Sequence, residues 1–257
     1  MLRRLACKLD IPKHAGQHIT GAALHGVMME RIDPEYAEKL HAQGLRPYSQ
    51  HIETRQDGID WIIQTLHEEA GRHIIDVFAS VDCAGFYLKK LGLEVGISCK
   101  TLEATKLDKL VKKYYLGQSG RLFRLNFVTP TAFKSGGEYV FIPDLRLLFG
   151  SLMRKYAAVH EAGAEINTET LDGLAKHIKI TSYNIKSIYI EIEGVKLPAF
   201  CGWISLKATG PQSLVNYAHF LLRFGEYSGA GIKCAMGMGA FRLSDRGERT
   251  TPGRYGE

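Results

Sequence analysis

Gly225-Glu-Tyr-Ser-Gly229-Ala-Gly231-Ile-Lys233-Cys-Ala-Met-Gly237-Met-Gly239-Ala-Phe-Arg-Leu243 places five glycines within fifteen residues and one lysine between two Gly-x-Gly pairs. Glycine admits positive φ and lets the backbone approach another group closely. A lysine between such pairs suggests that this group is anionic, with phosphate the leading candidate. A structural tight turn would also use glycine, but two would suffice. A dinucleotide loop follows a strand and opens a helix. Here the order is reversed: Gly210-Pro211 starts a helix, Leu214, Ala218 and Leu221 recur at helical spacing, and Gly225 is expected to end it at C′. Only Met238–Leu243 then reads as a strand, and no Gly-Lys-Ser/Thr sequence supports a P-loop. The stretch is therefore helix, glycine loop, last strand.

Upstream of it the same order of elements occurs twice. Leu2–Leu9 alternates as a strand. Thr20 caps a helix through Ile32, and Asp33-Pro34 restarts a second helix that carries Tyr36, Ala37 and Leu40. Tyr48–Arg55 and Ile59–Leu66 form a hairpin around Gln56-Asp57-Gly58. A helix over about Glu68–Ala79 and a strand region Phe86–Leu102 complete the first set. In the second, Leu122–Val128 is a strand and Gly136-Gly137 a turn. Asp144 caps a helix bearing Leu145, Leu148, Phe149, Leu152 and Tyr156. Ile188, Ile190 and Ile192 alternate with outward Tyr189, Glu191 and Glu193, Gly194 turns the chain into Lys196–Lys207, and helix 211–224 leads into the glycine loop. Each set is βαββαβ, so the expected class is α+β with two tandem ferredoxin-like domains, 1–118 and 119–243, and a disordered tail over 244–257. Between them, Thr105–Gly120 holds Lys106, Lys109, Lys112, Lys113, Tyr114 and Tyr115. Such a cluster can stack on nucleic acid, but an amphipathic helix with its tyrosines on the core is the favoured reading.

Composition narrows the function. With 257 residues and 45% hydrophobic content the chain reads as globular, and its net charge is +6 with pI near 9.0. Lys and Arg outnumber Asp and Glu by 17 to 12 in residues 121–257 but only by 16 to 15 in residues 1–120, so the glycine loop lies in the basic half. That balance favours a nucleic-acid partner. No apolar run is long enough for a membrane helix, and no signal-peptide core follows Met1. The five cysteines (7, 83, 99, 201, 234) are scattered without C-x-x-C, which argues against a zinc site or disulfide frame and for a reducing cytoplasm. No cofactor signature or metal-ligand cluster is present, so neither cofactor nor metal is expected.

The duplicated pattern with G-x-G-x5-G-x-G before the final strand resembles the CRISPR repeat-processing endoribonucleases of the repeat-associated mysterious protein superfamily. Ala22–His41, Leu125–Phe133 and Asp144–Arg154 are similar to that family's first helices, the strand opening its second repeat, and the helix that follows. The resemblance implies a metal-independent endoribonuclease that cleaves CRISPR repeat RNA by 2′-hydroxyl attack, leaving 2′,3′-cyclic phosphate and 5′-hydroxyl ends. It implies an interference complex as the destination of the products, and a monomer or homodimer. The family often places a histidine after the short second helix, followed by a cation; His41 and Arg46 match, with Arg46 expected to stabilise charge on the phosphate. A tyrosine that some members carry in the first helix is missing from residues 24–29, and His25 is its substitute candidate, the alternative being a partly buried helix histidine. Gly229, Gly231, Lys233, Gly237 and Gly239 are expected to hold the RNA backbone. His14, His18, His51, His67, His73, His160, His177 and His219 read as surface or core residues. Two other functions compete: a non-catalytic RNA-binding scaffold of the same superfamily, and a small-molecule enzyme of ferredoxin-like build.

Overall fold

A computed structural model describes residues 1–12, 19–42, 44–56, 58–160 and 164–245. His14, His18, Asp57 and the tail from residue 246 lie outside the described residues.

The first domain opens with β1 (Leu2–Asp10), whose alternate residues Leu5, Cys7 and Leu9 are buried. Helices α1 (Gly21–Arg31) and α2 (Pro34–Ala42) follow. Each starts where its cap predicts: the Thr20 hydroxyl accepts from the Ala23 amide, and the Asp33 carboxylate accepts from the Tyr36 amide at 2.9 Å. Then come β2 (Tyr48–Arg55), β3 (Gly58–Thr65) and a helical stretch 68–79, in which α3 (Glu68–Ala70) and α4 (Asp76–Ala79) flank a π-type turn. The strand expected over Phe86–Leu102 is two strands, β4 (Gly85–Leu88) and β5 (Leu93–Thr105), because Gly92 turns left-handed between them (φ 59°). The sheet order β2-β3-β1-β5 is ferredoxin-like and antiparallel, with β4 added at the edge. Its core centres on Trp61, which meets Phe78 and Phe86 edge-on at 4.9 and 5.4 Å.

A short helix α5 (Leu107–Leu110) and a further π-type turn lead into the second domain. Its elements are β6 (Leu122–Thr131), the small hairpin β7 (Phe133–Ser135) and β8 (Glu138–Val140), α6 (Leu145–His160), α7 (Thr168–His177), β9 (Ile178–Ile192), β10 (Val195–Ala208), α8 (Gln212–Ser228) and β11 (Phe241–Asp245). The order β11-β6-β10-β9 repeats the ferredoxin arrangement. The alternation over Ile188–Glu193 holds, with Ile192 buried and Tyr189 exposed.

Three further expectations from the sequence need correction. Gly225 does not end α8; the helix continues to Ser228 and Gly229 caps it. Gly225 is there because Phe241 and Leu152 press against the helix: a Cβ would lie 2.5 Å from the Phe241 ring and 2.8 Å from a Leu152 methyl. The element α7, absent from the sequence reading, is capped by Asn167 and buries only Leu171 and Leu174, an apolar stripe too short for periodicity to reveal. The last strand also reaches Ser244 and Asp245, past the Leu243 boundary that the sequence suggests.

Candidate active site

His25 lies on the buried face of α1 beside Leu24 and Met28, 6% exposed. Arg46, just before β2, approaches it with a guanidinium nitrogen 3.0 Å from Nε2, and the Tyr48 hydroxyl stands 3.3 Å from Nδ1. A guanidinium only donates. Nε2 must therefore carry the lone pair, and Nδ1 carries the hydrogen and donates to the Tyr48 oxygen. Burial, reinforced by the charge of Arg46, pulls the His25 pKa down to about 4. Burial also pushes the Tyr48 hydroxyl up to about 12, so it keeps its proton. The site thus holds a neutral imidazole of fixed tautomer. His41 sits in the last turn of α2, exposed, and its charge is felt at His25.

The glycine loop follows α8. Gly229, Gly231, Gly237 and Gly239 all have positive φ, from 64° to 96°. Each of these glycines has a packing reason within the protein. A Cβ at Gly231 would strike the Ala132 carbonyl, one at Gly239 the Ala230 carbonyl, and one at Gly237 would lie 3.0 Å from the Gly21 Cα. Polar side chains fasten the loop on both sides. From α6, the Ser151 hydroxyl accepts from the Gly231 amide, and buried Lys155 donates to the Ser228 and Gly229 carbonyls at 3.1 and 3.0 Å. From β2, the buried Gln50 amide donates to the Ala235 and Gly21 carbonyls at 3.0 and 2.6 Å and accepts from the Trp61 indole at 2.9 Å. Among the described residues of 229–240, Lys233 alone is exposed. It takes a left-handed conformation (φ 55°), and its ammonium pairs with Glu193 at 3.2 Å.

The two regions singled out in the sequence therefore meet. The glycine loop abuts the N-terminus of α1, and both Lys233 and Glu193 act electrostatically on His25, alongside Arg46 and His41. The sequence reading missed Tyr48, Gln50 and Glu193. Tyr48 follows Arg46 by two residues, and Glu193 precedes Gly194 in a hairpin tip; neither spacing announces a site. The linker tyrosine Tyr114 packs on His219 at 4.6 Å, as the amphipathic-helix reading expects. His67 caps α3 through Nδ1, His73 stacks on Tyr36 at 4.2 Å, and His51 is buried against Glu53 at 3.0 Å. These are structural roles.

Similarity to known proteins agrees with this architecture. Residues 125–241 match the family model for the CRISPR-associated endoribonuclease Cas6. A CRISPR-associated endoribonuclease Cas6 of Mycobacterium tuberculosis is 35% identical over 241 residues, covering 93% of this chain and 76% of that protein. One of Streptococcus thermophilus is 35% identical over 226 residues, covering 86% and 90%. Among solved structures, a Cas6 product complex aligns with TM-score 0.78 at 20% identity over 95% of this chain and 99% of that one. A Thermus thermophilus Cas6 aligns with TM-score 0.69 at 19% identity over 95% and 98%. With the duplicated ferredoxin-like fold and relatives 35% identical over 86–93% of its length, the chain belongs to the CRISPR-associated endoribonuclease Cas6 family.

Proposed function

We propose that this protein is an endoribonuclease that cleaves CRISPR precursor RNA within its repeats, without metal, and passes the products to an interference complex. The observation that carries the reading is the convergence of His25, Arg46 and His41 with Lys233 at the junction of the two domains. In the proposed reaction the RNA 2′-oxygen attacks the adjacent phosphorus and the bond from phosphorus to the 5′-oxygen breaks. One group must accept the 2′-hydroxyl proton and another must return a proton to the 5′-oxygen. Neutral His25 suits the accepting role once Arg46 leaves Nε2 for the phosphate; the departing positive charge and the arriving negative one both raise its basicity. Exposed His41 then supplies the returning proton, and Arg46 with Lys233 offsets charge on the phosphate. The glycines contribute by presenting Lys233 on a rigid loop.

The test is cleavage of repeat RNA in EDTA, with analysis of the product ends. His41→Ala should lose most of the rate and keep binding. A substrate with sulfur in place of the bridging 5′-oxygen, whose leaving group needs no proton, should restore much of it. Cleavage that requires magnesium refutes the mechanism, and tight binding without cutting moves the protein to the scaffold reading.

A further inference from the structure

Glu193 and Lys233 are the two non-glycine residues with positive φ among the described residues (φ 53° and 55°), and they are bonded to each other. Glu193-Gly194 forms a two-residue hairpin turn between β9 and β10, with Ile192 paired to Val195 and both turn residues left-handed. At the first position of such a turn asparagine is strongly preferred and glutamate is not. A local preference broken at an exposed tip, beside a candidate site, calls for a compensating role. The carboxylate finds one in the ammonium of Lys233, 3.2 Å away. Lys233 is also the cation that the glycine loop holds out of an otherwise covered segment.

We propose that Glu193 is a built-in competitor for the RNA phosphate at Lys233. In the free protein its carboxylate occupies the ammonium; on binding, the RNA backbone displaces it. This inference rests on the loop being part of an RNA site and goes beyond it by naming what the RNA must expel. The pair is solvent-exposed, with side chains 60% and 39% accessible, so it is weak enough to be exchanged. A single carboxylate cannot match a chain of phosphates that gains several contacts at once. Isolated anions, by contrast, meet a cation already neutralised. The contact therefore selects for a polyanion that also engages Arg46, whose charge, like that of Lys233, acts on His25.

The experiment is equilibrium binding of a fluorophore-labelled repeat RNA carrying 2′-O-methyl groups, so that no cutting intervenes. Glu193→Asn, which suits the turn, and Glu193→Gln should each tighten binding by about two- to fivefold, the scale of an exposed ion pair. In a Lys233→Met background the same changes should gain clearly less. Unchanged or weaker binding by both Glu193 variants overturns the proposal. An equal or larger gain in the Lys233→Met background also overturns it, because the effect is then bulk charge repulsion. Wild-type protein that binds this RNA but never cuts the unmodified repeat refutes the catalytic reading and leaves this inference standing; wild-type protein that does not bind overturns both.

Discussion

Replacing Gln50 by methionine should both destabilise the protein and undock the glycine loop. Methionine matches the length of the side chain and removes its polar atoms. Three hydrogen bonds are lost: those to the Ala235 and Gly21 carbonyls and that from the Trp61 indole. Gly21 opens α1 and its carbonyl can keep a place in the helical ladder. Ala235 and the Trp61 nitrogen are buried and are left without these partners, at about 1–3 kcal/mol each. The expected loss is therefore about 2–6 kcal/mol, a large part of the ~5–15 kcal/mol that holds a typical domain folded. In urea, with a slope of about 3 kcal/mol per molar for a chain of this size, the midpoint should fall by about 0.7–2 M. Amide exchange should show where the loss falls: residues 232–238 should exchange faster while the strand centres of the second domain stay protected. A midpoint shift below about 0.5 M, or loop amides that keep their protection, would show that Gln50 does not couple the loop to the first domain.

Three further outcomes follow from the packing and the charges. Gly225→Ala forces a methyl into the Phe241 ring and Leu152; it should cost about 2–3 kcal/mol and lower the melting temperature by several degrees, and an unchanged melt contradicts the packing account. His25 titrates near pH 4 folded against 6.5 unfolded, so between these values the unfolded chain binds more protons; its contribution of about 3 kcal/mol is full above pH ~6.5 and is lost as the pH falls toward 4. Arg46→Met should move the His25 titration upward in an NMR pH series, and an unmoved midpoint removes Arg46 as a cause. Burial alone would raise the Glu53 carboxyl, yet hydrogen bonds from His51 and Arg242 hold it well below its ordinary value. Glu53→Gln should therefore cost about 2–3 kcal/mol near neutral pH, less than for a fully buried pair because Arg242 is half exposed, and the difference from wild type should shrink on acidification below pH ~4.5. A constant difference across pH counts against the charge explanation.

The elements and their doubling are legible in the chain without any tertiary contact. Alternation in β1, β6 and β9, the caps Thr20, Asp33 and Asp144, and the glycine-bounded turns are local signals, each carried by a few neighbouring residues. Such signals are strong enough to place two βαββαβ units and to isolate Lys233 in a loop. They fail where the signal is short, as in α7, or where a glycine answers to a distant side chain, as Gly225 answers to Phe241. What the candidate site is made of follows from long-range packing. The partner of His25 is Tyr48, the glycines of the loop face carbonyls of Ala132 and Ala230, and Glu193 reaches Lys233 from another hairpin. These contacts join side chains from elements far apart in the chain, so no periodicity or spacing encodes them. They arise when two separately legible domains bury Gln50 and the glycine loop between them. That burial brings His25, Arg46 and Lys233 into one electrostatic field.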